Sequence, residues 1–282
     1  MRIRDAILQA ETVLNRANVP NGVHDTRRLL AYVLRIDPLL LQLYASQVIS
    51  DTDWKTFSAL VKKRSERIPL QYLEGEVSFM GLPFRVTPDV LIPRQDTEVL
   101  CEAALRLVPA TASVLEIGTG SGALAVAMKK KRPDLRITAV DISRKALNVA
   151  RENAKRNGVS VSFLLGDCYT PAWGRRFHMI VSNPPYISGE EMDALDPEVK
   201  KEPRLALYGG QDGLAMYRRI ISDARNHLFS GGKILLEIGW KQKDPVSELL
   251  RREIGVPFAK RDDVGNWRVV GAEWERRTGD ES

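Results

Sequence analysis

Asn183 ends the apolar run Phe177-His178-Met179-Ile180-Val181-Ser182 and is followed by Pro184, Pro185 and Tyr186. An asparagine side chain offers one acceptor oxygen and two N–H donors. Proline has no N–H, so the carbonyls beside Asn183 are more easily left free to accept from a ligand. Acceptors around two hydrogens, with the Tyr186 ring against a flat face, suit a planar –NH2 group. The competing reading is a proline turn with asparagine as its turn residue. The rest of the chain must decide between them.

Three other stretches carry groups suited to a nucleotide-like ligand. Gly118-Thr119-Gly120-Ser121-Gly122 follows the apolar Val114-Leu115-Glu116-Ile117 and precedes a helical pattern from Ala123 to Lys131. Strand, glycine turn and helix form the ligand-facing corner of a doubly wound sheet. Glycines there let the backbone approach a ligand with no Cβ in the way. The G-x-G-x-G spacing leans away from the G-x-G-x-x-G of dinucleotide enzymes. Asp141 ends a second strand, Arg136–Asp141, at the distance where an acidic side chain accepts from ribose hydroxyls. Its alternative role is a helix N-cap, for which Ser143 competes. Asp167 and Cys168 end a third strand, Val161–Cys168, within reach of an adenine edge. His24, His178 and His227 fall in no catalytic cluster.

The elements that must position these groups alternate strand and helix from Ser113 onward. That pattern gives a mostly parallel α/β sheet with helices on both faces. The fourth strand is Phe177–Ser182, so Asn183 lies at a carboxyl end, where open sheets place their crevice. A fifth strand is read over Lys233–Ile238 and a last one over Trp267–Trp274, with helices over Gly213–Leu228 and Gln242–Glu253. Ahead of the sheet, apolar residues Ile3, Ala6, Ile7, Ala10, Val13 and Leu14 recur at helical spacing. Further helices are read from Asp25 through Leu34, from Asp37-Pro38 to Tyr44, and after Ser50 or Asp51. They form a small bundle over residues 1–73. Residues 74–88, alternating around Gly81, read as a β-hairpin linker, and 89–282 as the sheet domain. Val90-Leu91-Ile92-Pro93 leads to a helix capped by Asp96 or Thr97.

The 282 residues are 44% hydrophobic and 28% charged, with a net charge of +6 and a pI of about 9.3. This is an ordinary globular balance whose mild basicity selects no partner. Cys101 and Cys168 stand far apart without a CxxC or Cys/His cluster. That argues against structural zinc and a disulfide framework, and fits a reducing cytoplasm. Neither a signal peptide nor a membrane-spanning run is read, and the polar tail Arg276–Ser282 reads as frayed.

Taken together, the glycine turn, Asp141, Asp167 and Asn183-Pro-Pro-Tyr resemble a class I, Rossmann-like S-adenosylmethionine-dependent methyltransferase of the kind that methylates planar nitrogens. Pro69-Leu-Gln-Tyr, Leu91-Ile-Pro-Arg, Glu202-Pro-Arg-Leu-Ala-Leu, Gly209-Gly-Gln-Asp-Gly-Leu and Leu236-Glu-Ile-Gly are similar to motifs of the HemK/PrmC family. The resemblance covers essentially the whole chain. It implies methyl transfer from S-adenosyl-L-methionine to the glutamine amide nitrogen in the Gly-Gly-Gln motif of peptide chain release factors, leaving S-adenosyl-L-homocysteine. It also implies that the helical domain recognises the release factor. Carried over, Gly118, Thr119, Gly120, Ser121 and Gly122 wrap the methionine part, Asp141 holds the ribose, and Asp167 with Cys168 flanks the adenine. Asn183, Pro184, Pro185 and Tyr186 seat the glutamine, with Asn183, Pro184 and Tyr186 as the catalytic group and Asn183 also against the cofactor. Glu116 stands where many members have Asp, and Cys168 where many have a large aromatic ring, so Tyr169 competes to stack on the adenine. A monomer without metal, nucleic-acid or membrane contact is expected. Rival readings are an adenine amino-group DNA or RNA methyltransferase, a non-catalytic release-factor adaptor, and a nicotinamide dehydrogenase.

Overall fold

The computed structural model describes residues 1–275, so the tail Arg276–Ser282 lies outside the described residues. The chain divides into two units. One is Met1–Glu76 with Asp196–Lys201, and the other is Val77–Leu195 with the chain from Glu202 onward.

The first unit holds α1 (Ile3–Arg16), α2 (Gly22–Leu34), α3 (Asp51–Ser65) and α4 (Leu70–Glu74). Each turns an apolar stripe inward, and Ala6, Leu14, Leu29, Leu30, Phe57 and Val61 make a common core. Ser50 caps α3 by accepting from the Asp53 N–H at 3.1 Å. The segment expected as a helix to Tyr44 is a 3-10 helix over Pro38–Gln42, started by Asp37 accepting from the Leu39 N–H. A short helix beginning on proline without a long apolar stripe gains little from α-geometry.

Arg64 is buried in this unit and donates to Asp25 at 2.7 Å and to Glu198 at 2.9 Å. Arg67 adds a two-pronged contact to Glu198. Burial pushes Glu198 up, but the hydrogen bonds from Arg67 and Arg64 outweigh it and hold the carboxyl down at about 2. Arg64→Ala leaves Asp25 buried without its cation. Such a loss typically costs about 3–5 kcal/mol, and the denaturant unfolding curve is expected to shift accordingly. Breaking the pair hurts far more than the intact pair helps.

The second unit opens on the hairpin β1 (Glu76–Phe79) and β2 (Leu82–Arg85), whose turn Met80-Gly81 has both residues at positive φ. Such a two-residue turn matches strand twist. Asn153 accepts from the Arg85 N–H at 2.7 Å and Asn157 donates to the Pro83 carbonyl at 3.0 Å. Asn153 lies in the helix over Arg144–Arg156 and Asn157 is its C-cap. From Val77 on, the hairpin groups with this unit.

Next come α5 (Gln95–Leu107), β3 (Ser113–Ile117), α6 (Ala123–Lys131), β4 (Arg136–Asp141), α7 (Arg144–Arg156), β5 (Ser162–Leu165) and β6 (Phe177–Ser182). Then follow α8 (Gly189–Ala194), α9 (Arg204–Leu207), α10 (Ala215–Ala224), β7 (Leu228–Glu237), α11 (Lys243–Glu253), β8 (Pro257–Arg261) and β9 (Trp267–Trp274). The sheet order is β5-β4-β3-β6-β7-β9-β8. Pairing is parallel from β5 to β7, whereas β9 runs antiparallel to both β7 and β8. The chain winds outward from β3 through β4 to β5, then returns to β6 on the other side of β3. Its switch point is therefore the cleft between the carboxyl ends of β3 and β6. Ser182 ties that point by donating to the Ile117 carbonyl at 2.7 Å.

Several boundaries differ from the sequence expectation. The helix read from Gly213 starts at Ala215, because Gly213 has φ +73° and ends a loop. The fifth strand starts at Leu228, earlier than Lys233, where Leu228 pairs with Phe177. Strand β8, headed by Pro257, was not anticipated; it owes its shape to antiparallel pairing with β9. Neither Asp96 nor Thr97 caps α5, which begins at Gln95 with no side-chain cap. Asp96 pairs instead with Arg268 at 2.9 Å, and Thr97 is buried.

Candidate active site

A cavity of about 260 Å³ opens at the switch point, lined entirely from the second unit. The glycine turn forms its floor. Gly118, Gly120 and Gly122 have φ of +74°, +54° and +79°, a region costly for any side chain. The turn folds back on β4, with the Gly118 N–H donating to the Val140 carbonyl at 2.8 Å. Gly118, Thr119, Gly120 and Ser121 line the cavity, but Gly122 does not. A Cβ on Gly122 would lie 2.9 Å from the Ala150 Cβ, so this glycine instead lets α6 pack closely on α7.

Asp141 uses both carboxylate oxygens to order the corner: one accepts from the Gly120 N–H and the other from the Ser143 N–H, each at 2.8 Å. Ser143 is the N-cap of α7, which settles that competition. Asp141 also lines the cavity, where each oxygen retains capacity to accept a ligand hydroxyl. Burial pushes its carboxyl up, against the pull of those N–H bonds.

Glu116 is buried at the end of β3 and accepts from the Thr119 hydroxyl at 2.6 Å. Burial pushes it to about 8 despite that bond and one from the Ala125 N–H in the first turn of α6. A carboxyl raised above its unfolded value of roughly 4.3 keeps its proton longer in the folded state. Folding is then favoured most at low pH, and stability falls as pH rises from there through about 8. Melting scans of the ligand-free chain should show this decline, and Glu116→Gln should reduce its slope.

Asp167 and Cys168 both face the cavity. Arg219 on α10 donates to Asp167 at 2.8 Å and holds its carboxyl below the usual range, while burial pushes the Cys168 thiol up to about 11. Tyr169, the alternative partner for an adenine, turns into the core. Its hydroxyl donates to the Ile220 carbonyl at 2.8 Å and its ring stacks on His227 at 4.4 Å. Tyr169 is therefore excluded from the cavity wall and Cys168 holds that position.

Asn183 and Pro185 line the cavity; Pro184 and Tyr186, expected beside them, are not among its lining residues. Pro184 is buried and Tyr186 half-buried against the β-sheet core. The Asn183 amide donates to the Thr97 hydroxyl at 3.0 Å. The loop beyond is clamped by groups to which the sequence alone assigns no role. Gln242 donates to the Tyr186 carbonyl at 3.0 Å and to the Gly213 carbonyl at 3.3 Å, and accepts from the Gly239 N–H at 3.0 Å. Gly209 lies so close that a Cβ there would sit 2.6 Å from the Pro185 carbonyl oxygen. Glu202, buried, accepts from the Ile92 N–H at 3.0 Å and pairs with Arg94. It thereby joins the walls Val90–Pro93 and Pro203–Tyr208, explaining why Ile-Pro-Arg and Glu-Pro-Arg occur in one chain.

Among the remaining histidines of this unit, His178 accepts from the Ser113 N–H at 3.1 Å and His227 is buried beneath Tyr169. Neither lines the cavity. The site offers a cradle free of Cβ atoms, carboxylates for hydroxyls and an amide at its rim. This donor set fits the nucleoside and amino-acid ends of the cofactor the resemblance implies.

Comparison with known proteins agrees with this geometry. Residues 5–75 match the PrmC N-terminal domain and residues 95–201 the Methyltransferase small domain. The chain is 40% identical to a release factor glutamine methyltransferase of Geobacter sulfurreducens over 95% of both chains. It is 47% identical to one of Streptococcus pneumoniae, over 72% of this chain and 74% of that one. A crystal structure of a methyltransferase from Pyrococcus furiosus shares the fold at a TM-score of 0.56 and 22% identity, covering 71% of this chain and 92% of that one. With relatives matched over nearly its full length and both family regions in place, the chain belongs to the release factor glutamine methyltransferase family.

Proposed function

We propose that this chain transfers the methyl group of S-adenosyl-L-methionine to the side-chain amide nitrogen of the glutamine in the Gly-Gly-Gln motif of peptide chain release factors. The observation that carries the reading is Asn183 at the rim of the switch-point cavity, its N–H groups turned into the protein. When bound, the cofactor supplies an electrophilic methyl on a sulfonium sulfur. The chain's own residues bind and orient. Gly118 to Ser121 give backbone access to the amino-acid end, Asp141 accepts from the ribose hydroxyls, and Asp167 with Cys168 borders the adenine.

An amide nitrogen is a poor nucleophile because its lone pair is delocalised into the carbonyl. Asn183 Oδ1 and the Pro184 carbonyl accept its two N–H groups, turning the nitrogen toward the methyl and raising its electron density. Pro185 and Tyr186 keep that loop rigid. Positioning and electrostatics then do most of the catalytic work. The nitrogen sheds its proton as it becomes positive, so no resident base is required before attack. We assign release-factor recognition to the helical domain over residues 1–73, with 74–88 leading into the sheet domain over 89–282. In this reading the enzyme acts as a cytoplasmic monomer, without direct contact to nucleic acid or membrane. Among the described residues no helix is long and apolar enough to cross a membrane.

The test is incubation with methyl-labelled cofactor and either a purified release factor or unmethylated DNA. Label in the release factor supports the reading. Label in DNA alone replaces it with adenine methylation, and cofactor binding without transfer to either replaces it with an adaptor.

A further inference from the structure

Leu236-Glu237-Ile238-Gly239 ends β7 next to β6, and Glu237 is fully buried there although the proposed reaction assigns it nothing. Burying a carboxyl is costly unless it serves as an acceptor. Ser182 pairs with Leu236, so Glu237 lies beside Asn183 in the sheet register, where the Thr97 hydroxyl and the Asn183 amide both favour its ionised form, while its oxygen Oε2 is buried with no hydrogen-bond partner. Thr97 in turn accepts from the same Asn183 amide at 3.0 Å. The Asn183 N–H groups thus turn to the protein side, toward Thr97 and the neighbouring Glu237 carboxylate. An amide has no third donor, so the group left for the cavity is Oδ1.

We propose that Glu237 is a positioning residue that, with Thr97, fixes the Asn183 amide so that its oxygen faces the acceptor nitrogen. The ionised carboxylate also polarises that amide, which makes Oδ1 a stronger acceptor. Without it, an asparagine amide can rotate by half a turn and present N–H groups to the substrate's N–H groups. Two donors facing each other repel. This role rests on the reading of the site as an amide methyltransferase, but the orientation itself is a property of the free protein.

The charged and titratable groups that act on Glu237 or share its surroundings are Asp96, Arg268, Tyr186 and Tyr217. Burial pushes its carboxyl to about 7, with Asp96 adding to the rise and Arg268 opposing it. Asp96 and Arg268 are paired with each other at 2.9 Å. The Tyr186 and Tyr217 hydroxyls are both pushed well above their ordinary range by burial, so they stay neutral where Glu237 ionises. The Tyr217 hydroxyl donates to the Glu237 backbone carbonyl at 2.8 Å and to Gln242 Oε1 at 3.4 Å. Glu116, on the floor of the cavity, is pushed to about 8 and titrates separately.

The experiment follows the Asn183 side-chain amide in the full ligand-free chain by ¹⁵N–¹H correlation, assigned by its loss in Asn183→Asp, from acid to alkaline pH. The expected result is a shift with a midpoint near 7 in the wild type, absent in Glu237→Gln and retained in Glu116→Gln. A resonance that does not move through this range, or moves alike in Glu237→Gln, overturns the proposal. Because no substrate is present, this outcome is separate from whether release factors are methylated. Kinetics on the release factor supply the second readout. Glu237→Gln and Thr97→Val are each expected to lower kcat by about ten- to a hundredfold, as for lost hydrogen bonds to a charged group, with KM for the cofactor little changed and Thr97→Ser restoring most of the loss. A fall confined to KM or to melting temperature would show that Glu237 only supports the fold.

Discussion

Replacing Asn183 with alanine is expected to reduce turnover by at least about a hundredfold, the scale of losing one oriented polar group at a reacting centre. Cofactor affinity should change much less, because the glycine turn, Asp141 and Asp167 remain in place. The separation follows from position. Asn183 stands just past the carboxyl end of β6, while the other groups assigned to the cofactor come from the turn after β3, the end of β4 and the loop after β5, a strand that stops at Leu165 instead of running to Cys168. Alanine also strips Thr97 and Glu237 of their shared donor, so the buried carboxyl loses a partner as well. Single-turnover methyl transfer beside calorimetric titration of the cofactor measures the two effects independently. Turnover near the wild-type level would remove Asn183 from the mechanism.

A second large loss is expected from Gly213→Ala, which touches neither ligand directly. Gly213 has φ +73°, and a Cβ there would lie 2.5 Å from the Tyr186 carbonyl oxygen and 2.8 Å from Gln242 Nε2. Those two atoms make the hydrogen bond that closes the Asn-Pro-Pro-Tyr loop. The methyl group must therefore push apart the clamp while forcing a left-handed conformation, which costs on the order of 1–3 kcal/mol for the backbone alone. Displacements of about an ångström at a reacting centre commonly cost a hundredfold in rate. The expected outcome is a loss of kcat approaching that of Asn183→Ala together with a lower melting temperature. Gln242→Ala should give a milder version, since it removes the clamp without adding a clash.

Much of this architecture is legible in the sequence. Strand, glycine turn and helix from Val114 to Lys131, and the apolar run into Asn183, are local signals that need no tertiary context. Boundaries set by pairing were not legible: Leu228 joins β7 because Phe177 faces it, and Pro257 becomes strand only against Ala272. The same holds for the site. Asp141, Asp167 and Asn183 can be found by their places at strand ends. Glu202, Gln242 and Glu237 act through partners distant in sequence, at Ile92, Tyr186 and Thr97. Glu202 and Glu237 stand in motifs visible in the sequence and Gln242 in none, and what each one holds is visible in no local signal. Thr97 looked like a helix cap because a hydroxyl before an apolar run usually is one. The Gln95 start of α5 instead leaves its hydroxyl to Asn183. Tyr169 is a candidate for stacking on an adenine by its place in the sequence, but the positive φ of Cys168, +46°, sits at the turn that sends the Tyr169 ring into the core.

The measurement that bears most directly on the central claim is mass spectrometric mapping of a purified release factor after incubation with this enzyme and S-adenosyl-L-methionine. A Gly-Gly-Ala variant of the same factor is treated in parallel. The account predicts one added methyl group on the side-chain amide nitrogen of the Gly-Gly-Gln glutamine, and none in the variant. A methyl group on any other residue, or equal labelling of the two proteins, would contradict it.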